Sequence, residues 1–271
     1  MAITAAVVNE LRQATGCGLM DCKKALIECE GDMEKAVMYL REKGLASQAK
    51  KASRVAAEGM AYATVIDGGG VVVEVNCETD FCAKSDLFVA FVKDIAKAVL
   101  DNDPADVDAL MNCKYPGTEL TVSETMPEKV MSIGENLQIR RFVRFAENTS
   151  VGYVHAGGKI GVLVTFNVEG IDPASDAFQK CGRDIAMQVA ALNPVSATRE
   201  DVPADVAAHE MEIYKAQAAE SGKPENIQEK IATGRLEKFY KENVLTEQAY
   251  VKDPDTVSYT HLRAHETLSD L

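Results

Sequence analysis

The sequence contains an internal repeat, in which the pattern of a β-hairpin followed by a helix occurs twice. Strand-forming runs at 60–66 and 71–75 are joined by Asp67-Gly68-Gly69-Gly70, which is typical of a hairpin turn. The residues that match across a shift of 91 positions are Tyr62 with Tyr153, Gly70 with Gly161, Val71 with Val162, Val73 with Val164, and Asn76 with Asn167. After one deletion, Phe88 matches Phe178 and Lys93-Asp94-Ile95-Ala96 matches Arg183-Asp184-Ile185-Ala186. The repeat predicts an α+β protein with duplicated core subdomains at 58–148 and 149–198.

Apolar residues recur at helical spacing near the N-terminus and predict a three-helix domain over residues 1–45. The three apolar faces are Val7, Val8, Leu11 and Ala14, then Cys22, Ala25, Leu26 and Cys29, and finally Met33, Ala36, Val37 and Leu40. We expect Asp32 to cap the third helix and Gly44 to end it with a positive φ. So small a bundle is marginal alone, and we expect it to pack on another part of the chain. Residues 46–57 are predicted to be a linker, although the basic run at 46–54 also fits an exposed helix end.

Further elements are predicted between the two repeat halves and after the second. A helix over 128–135 and a strand over 137–143 connect the two core halves. Residues 199–241 are polar, with a break at Ser221-Gly222-Lys223-Pro224, and predict a projecting antiparallel helical hairpin that is available for self-association. The apolar residues expected to face each other across it are Val202, Val206, Met211 and Ile213, opposite Ile227, Ile231 and Leu236. Residues 242–255 are expected to return to the second core subdomain, which would be truncated there.

The last residues, 256–271, do not follow the pattern of the rest. They resemble one reading frame of a common transposase sequencing adapter and hold two of the four histidines. We expect this tail to be non-native, and we leave it out of the fold and site predictions.

Composition excludes several classes of function. Acidic residues outnumber basic ones by 42 to 29, and the net charge of −13 disfavours non-specific binding to nucleic acid. No apolar run approaches the roughly 20 residues of a membrane span, and the first residues do not begin a signal peptide. The seven cysteines are an odd number without a Cys-x-x-Cys pair, so we expect reduced thiols in a cytoplasmic protein.

Catalytic and metal-binding motifs are not found in the sequence. Outside the tail the histidines are His155 and His209, and no nucleophile elbow or phosphate-binding glycine loop occurs. Cys17 and Cys22 have four residues between them, as do Cys77 and Cys82, but no histidine lies near either pair in sequence. The cysteines are interpreted as small buried apolar residues. We therefore predict no catalytic residue, no cofactor and no metal.

The segment Asn76-Cys77-Glu78-Thr79-Asp80-Phe81-Cys82-Ala83-Lys84 follows a predicted strand and sets one aromatic residue among polar ones. One interpretation makes Phe81 a core anchor and Asp80 a helix cap. The other makes Phe81 an exposed recognition residue, because strand-to-helix loops often carry such residues. The equivalent region of the second half, Glu169-Gly170-Ile171-Asp172-Pro173, lacks the aromatic residue, which indicates a specialised role for the first loop.

Two segments resemble the signatures of the translation elongation factor Ts family. They are Thr15-Gly16-Cys17-Gly18-Leu19-Met20-Asp21-Cys22-Lys23-Lys24-Ala25-Leu26 and Asn76-Cys77-Glu78-Thr79-Asp80-Phe81. Ile133-Gly134-Glu135-Asn136, the stretch 155–163 and Ser221-Gly222-Lys223-Pro224 also match, so the resemblance runs from residue 2 to about 255. It implies a ubiquitin-associated-like N-terminal bundle, two similar core subdomains and a coiled-coil hairpin.

The resemblance implies guanine nucleotide exchange on elongation factor Tu, without covalent chemistry by this chain. The family loop that enters the GTPase domain of the partner matches Thr79, Asp80, Phe81 and Cys82, although the family more often has Val at the last position. In that loop the phenylalanine is a wedge near the magnesium site of the partner, and its entry releases the metal and GDP. Ile133, Gly134 and His155 match other contact positions. The implied location is the cytoplasm of a bacterial-type cell, with no direct binding to nucleic acid or membrane.

Three other functions remain open from the sequence. A non-catalytic, ubiquitin-associated-like adaptor would act through residues 1–45 alone. A thiol enzyme would need a reactive cysteine, and an RNA-binding protein would show steep salt dependence.

Overall fold

The computed structural model describes residues 3–146, 149–220 and 222–257, so residues 258–271 of the predicted adapter tail lie outside the described residues. The chain divides into two compact units, one ending at Thr165 and one beginning at Phe166. The mixture of helices and sheets confirms the α+β class. Within the described ranges, no helix combines the length and the apolar character that a membrane crossing requires.

The first unit contains seven helices and five strands among its described residues. They are α1 (Ala5–Thr15), α2 (Leu19–Glu28), α3 (Met33–Lys51), β1 (Glu58–Ile66), β2 (Gly69–Cys77), α4 (Asp80–Ala83), α5 (Asp86–Asn102), α6 (Val107–Met111), α7 (Val122–Ile133), β3 (Gln138–Phe145), β4 (Ser150–His155) and β5 (Ile160–Thr165). The second unit contains α8 (Asp176–Leu192), α9 (Ala204–Ala219), α10 (Glu225–Asn243), β6 (Ala249–Tyr250) and β7 (Asp253–Val257).

Helices α1 to α3 form a small bundle whose core includes Leu11, Leu26 and Leu40, each at most 3% exposed. Asp32 caps α3 as predicted, by accepting a hydrogen bond from the Lys35 N–H at 3.1 Å. The predicted end of α3 at Gly44 is wrong, because the helix continues to Lys51. Gly44 instead lies against α7, where an added Cβ would be 3.1 Å from the Pro127 carbonyl oxygen. The glycine therefore permits a close helix contact.

The bundle packs on α7, as its small size leads one to expect. The Arg41 guanidinium contacts the Glu124 carboxylate at 3.2 Å, and Lys51 Nζ donates to the Val130 carbonyl oxygen at 3.2 Å. Lys51 belongs to the stretch predicted as a linker, and it is the last helical residue of α3.

Strands β1, β2 and β3 form an antiparallel sheet in that order. The β1–β2 turn consists of Asp67 and Gly68, with φ values of 49° and 84°, and Ile66 pairs with Gly69. Positive φ at both central residues is the geometry that matches the twist of a tight hairpin. Strands β4 and β5 form a second hairpin that packs on β1, where an added Cβ on Gly161 would lie 3.0 Å from the Ala61 backbone.

Helix α5 covers the three-stranded sheet with an apolar face whose residues recur at helical spacing in the sequence. Its residues Phe88, Phe91, Val92, Ile95 and Val99 are all at most 1% exposed. Helix α7 begins at Val122, six residues before the predicted start, because Thr121 and Glu124 form a capping box and Pro127 is accommodated inside the helix. Together with β2 and β3, these helices enclose the main core of the unit.

The helices of the two repeat halves have matching ends. Each is 17 residues long, and the hydroxyls of Ser85 and Ser175 accept a hydrogen bond from the N–H of Phe88 and Phe178, respectively, at 3.3 Å. Each ends at a residue with positive φ, Asp103 or Asn193. Matching ends of this kind are what a duplicated unit predicts, and the domain boundaries stay a prediction.

Helices α9 and α10 pack on each other, and each contributes one fully buried alanine. They are Ala218 and Ala232, at most 1% exposed, whereas Ile227, which is predicted to face the opposite helix, is 40% exposed. The base of the hairpin is closed by backbone hydrogen bonds from Val195 to Asn243 (2.8 Å) and from Leu245 to Ser196 (3.0 Å).

Gly234→Ala in α10 is expected to raise the free energy of unfolding by about 0.5–1 kcal/mol, because glycine is a poor helix former. Gly234 is exposed, and an added Cβ would meet no atom within 4 Å. The control is the reverse substitution, Ala216→Gly, at an exposed position of α9, which should lower the free energy of unfolding by a similar amount. Urea unfolding of both variants tests this, and an unchanged or lower stability of Gly234→Ala would contradict it.

Candidate functional site

The candidate site is the loop of residues 78–84 between β2 and α5, called here the Phe81 loop. Phe81 is 84% exposed, the largest exposure among the large hydrophobic residues that the structure describes. The core-anchor interpretation of Phe81 is therefore wrong. The cap of the short helix α4 is Thr79 and not Asp80, because the Thr79 hydroxyl accepts a hydrogen bond from the Cys82 N–H at 3.2 Å.

A reciprocal set of hydrogen bonds, called here the clasp, holds the start of this loop against the residues that follow α7. The Glu135 carboxylate accepts from the N–H of Glu78 at 2.8 Å, and from the N–H and hydroxyl of Thr79 at 3.0 and 2.6 Å. In return, the Glu78 carboxylate accepts from the Asn136 N–H at 2.7 Å. The clasp fixes the backbone two residues before Phe81.

The far side of the loop is fixed by burial. Cys82 and Ala83, immediately after Phe81, are each 7% exposed and belong to the main core. The Ser85 hydroxyl donates to the Cys82 carbonyl oxygen at 2.8 Å and also caps α5. An exposed phenyl ring therefore stands on a backbone that is anchored on both sides. Because the Cys82 side chain points into the core, a partner could reach its backbone but little of its thiol.

The predicted contact residues Ile133 and Gly134 are brought to the same place by the clasp. Ile133 ends α7 and is partly buried against the main core. Gly134 follows it with a φ of 91°, which lets the chain turn so that Glu135 faces the loop. The two predicted segments are thus one local structure.

His155 lies at the same end of the two sheets. It is exposed at the end of β4, and its Nδ1 is 2.8 Å from the Tyr153 hydroxyl oxygen. In the turn that follows, Lys159 forms an ion pair with Glu58, and Glu58 is paired with Cys77 across β1 and β2. All the residues predicted as partner contacts are therefore found at one end of the first unit.

The electrostatics of the loop stabilise its charged groups and leave its thiols protonated. Burial opposes ionisation of Glu135, but the hydrogen bonds from Thr79, Cys82 and Glu78 outweigh it and lower the pKa of this carboxyl. A hydrogen bond from Lys84, at 3.0 Å, lowers the pKa of Asp80. Burial raises the pKa of the Cys77 and Cys82 thiols. Neither thiol is activated as a nucleophile, which disfavours the thiol-enzyme interpretation.

Sequence reasoning missed the supporting residues of the site, chiefly Glu135 and Glu78. Glu135 is 57 residues from Glu78, so no local pattern connects the two. The sequence did point to the segment Ile133-Gly134-Glu135-Asn136 through the family resemblance. Only Ile133 and Gly134 of that segment are predicted as contacts, and Glu135 is not.

Comparison with known proteins identifies the family. The family described as Elongation factor TS matches residues 78–267. The Elongation factor Ts of Trichlorobacter lovleyi is 53% identical, over 97% of this chain and 87% of its own length. The Elongation factor Ts of Clostridioides difficile is 50% identical, over 93% of this chain and 83% of its own length. The Elongation factor Ts of Syntrophotalea carbinolica is 48% identical, over 94% of this chain and 84% of its own length. With half of the residues identical over nearly the whole sequence, the chain belongs to the elongation factor Ts family of translation elongation factors.

Proposed function

We propose that this chain is a guanine nucleotide exchange factor that binds elongation factor Tu and promotes release of its magnesium ion and GDP. The observation that carries the proposal is Phe81, a phenyl ring 84% exposed on a backbone held by the clasp and by the core. A ring that finds no place in its own core is suited to a pocket of a partner. Thr79 and Asp80 flank it, and Ile133, Gly134 and His155 supply further contacts at the same end of the unit.

Exchange by this route needs no proton transfer or bond cleavage by the chain. The factor must bind the nucleotide-free partner more tightly than the GDP-bound one, and by linkage GDP then weakens binding of the factor by the same ratio. A coupling of about 4 kcal/mol corresponds to roughly a thousandfold on each affinity. An apolar wedge suits this coupling, because its pocket need open only when the nucleotide site is distorted. We therefore propose that the chain acts without enzymatic chemistry and without a cofactor in the exchange reaction. Because its relatives are bacterial, we propose that it acts in the bacterial cytoplasm.

The rigidity of the loop contributes to binding. A wedge on a flexible loop would lose conformational entropy on insertion, and an ordered loop loses less. The Glu135 carboxylate orders the two residues that lead to the wedge, and the buried Cys82 orders the residue that follows it.

The test of the proposal is the rate at which fluorescent GDP leaves elongation factor Tu when this chain is added. We expect acceleration by at least two orders of magnitude at saturating concentration, because only part of a thousandfold coupling need appear in the rate. A release rate that does not depend on the concentration of the chain would refute the proposal.

Replacing residues 204–241 by a short Gly-Ser loop should leave exchange within about threefold of the unaltered chain. The base of the hairpin stays closed without these residues, because the hydrogen bonds that join 195–197 to 243–246 lie outside the replaced segment. The hairpin is proposed to serve self-association or peripheral contacts. Complete loss of exchange in a folded variant, judged by circular dichroism, would show that the hairpin is needed.

The adaptor function remains a second candidate because the N-terminal bundle exposes large apolar residues. Met20 is 62% and Met38 65% exposed. If the adaptor function were the main one, Met20→Ala together with Met38→Ala would abolish partner binding while Phe81→Ala left it intact.

A further inference from the structure

Cys77, Cys82 and Glu135 bring two thiols and a carboxylate together beneath the Phe81 loop. Their sulfur and carboxylate oxygen atoms all lie within 4.8 Å of one another. Cys77 ends β2 and is fully buried, Cys82 lies in α4 and is 7% exposed, and Glu135 follows α7. Among the described residues this is the one set of three such ligand atoms at so short a mutual distance.

The contacts of the cluster show which atoms would bind a cation. The Cys82 sulfur lies within 4.8 Å of both the Cys77 sulfur and a carboxylate oxygen of Glu135. The Cys77 thiol donates to the Thr79 carbonyl oxygen at 3.3 Å. Thiols are ordinarily protonated and carboxyls ionised at neutral pH, so two protons on sulfur lie next to the one negative charge of Glu135.

We propose that Cys77, Cys82 and Glu135 form a binding site for a thiophilic divalent cation of the zinc class. Thiolate sulfur and carboxylate oxygen are ligands that zinc accepts, and thiolates select against magnesium and calcium. Binding of one divalent ion would displace the two thiol protons. The cluster then carries a net charge of −1 with the ion, as it does with the protons, so the exchange adds no net charge to a buried site.

The geometry requires only small movements. With zinc–sulfur bonds of about 2.3 Å, two thiolates on one tetrahedral ion lie about 3.8 Å apart. Since the ligand atoms are already within 4.8 Å of one another, adjustments of about 1 Å suffice. Glu135 is also oriented by the N–H groups of Glu78 and Thr79, as metal-bound carboxylates commonly are. Three protein ligands leave a fourth position for water or another donor.

The chain contains its own control for this proposal. Cys17 and Cys22 have the same spacing and are also buried, but there the Cys22 thiol donates to the Cys17 carbonyl oxygen at 3.7 Å, and no carboxylate completes a cluster among the described residues. Spacing in sequence does not distinguish the two pairs, whereas the position of Glu135 does. The proposal is independent of nucleotide exchange, because the ion can be measured on the chain alone.

The test is a titration of the full, chelator-treated chain with Co²⁺, followed by displacement with Zn²⁺. We expect one equivalent of Co²⁺ with a thiolate-to-cobalt charge-transfer band that Zn²⁺ removes. Cys82→Val, with Cys82→Ala as a second variant should the first not fold, is expected to lose the band and at least about a hundredfold in affinity. The double variant Cys17→Ala and Cys22→Ala should bind as the unaltered chain does. The proposal is overturned if no thiolate band forms, if the folded Cys82 variant binds Co²⁺ unchanged, or if the band disappears with Cys17 and Cys22.

Discussion

Phe81→Ala is expected to slow chain-stimulated GDP release from elongation factor Tu by one to two orders of magnitude while leaving the free protein as stable as before. Emptying a core site of a phenylalanine costs about 3–5 kcal/mol, but Phe81 is 84% exposed and its ring makes little contact with its own chain. A differential interaction of about 1.4–3 kcal/mol with the open pocket of the partner corresponds to tenfold or somewhat over a hundredfold.

The matched control for this substitution is Phe145→Ala. Phe145 is partly exposed and pairs with Gly70, at the end of the three-stranded sheet opposite the Phe81 loop. Its removal should leave GDP release within about twofold at saturating concentration, since the ring lies far along the strands from the proposed contacts. Equal losses of release in both variants, or a large fall in the melting temperature of Phe81→Ala, would contradict the wedge.

Glu135→Gln is expected to lower the free energy of unfolding by about 1–2 kcal/mol at pH 7 and to slow chain-stimulated GDP release about tenfold. The amide nitrogen cannot accept a hydrogen bond, so at least one donor among the Glu78 N–H, the Thr79 N–H and the Thr79 hydroxyl loses its partner. The loop before Phe81 then becomes less ordered, and insertion costs more conformational entropy.

The stability difference between the unaltered chain and Glu135→Gln should also depend on pH. The pKa of Glu135 is lowered in the folded chain from its ordinary value of 4.5, so the carboxylate stabilises the fold fully above that value. The contribution is lost as pH falls through the lowered folded pKa, and the two stabilities should converge there. Glu119→Gln, which removes a charge from an exposed side chain, controls for net charge. A difference that stayed constant down to acidic pH would contradict this role.

The helix ends and the first hairpin could be predicted because their determinants are local. Asp32 caps its helix through a hydrogen bond to the residue three positions on, and the Asp67-Gly68 turn follows from the positive φ that both residues accept. The apolar face of α5 also has a local determinant, because its apolar residues recur at helical spacing and therefore all face the sheet.

One error in the fold has a non-local cause. Gly44 has the residue type of a helix end, yet it lies inside α3, where Pro127 of another helix approaches it closely. The start of α7 is different, because its determinant, the capping box of Thr121 and Glu124, is local, and the sequence analysis did not use it.

The comparison of the two repeat halves predicted a specialised role for the Phe81 loop, whereas its partner contacts followed only from the resemblance. From residue type alone, Phe81 was better explained as a core residue, because exposure depends on whether the core has room for it. The hydrogen bonds of Glu135 to Glu78 and Thr79 join segments that only the fold brings together. The cluster with Cys77 and Cys82 depends on the same approach.

The coupling between partner binding and GDP release is measured by the ratio of two affinities of the chain, one for nucleotide-free elongation factor Tu and one for the GDP-bound form. We expect a ratio of roughly a thousand for the unaltered chain. For Phe81→Ala we expect a ratio ten to a hundred times smaller, with most of the change in binding to the nucleotide-free form. A ratio near one for the unaltered chain, or the same large ratio in both proteins, would contradict the proposal that Phe81 couples binding of the partner to release of GDP.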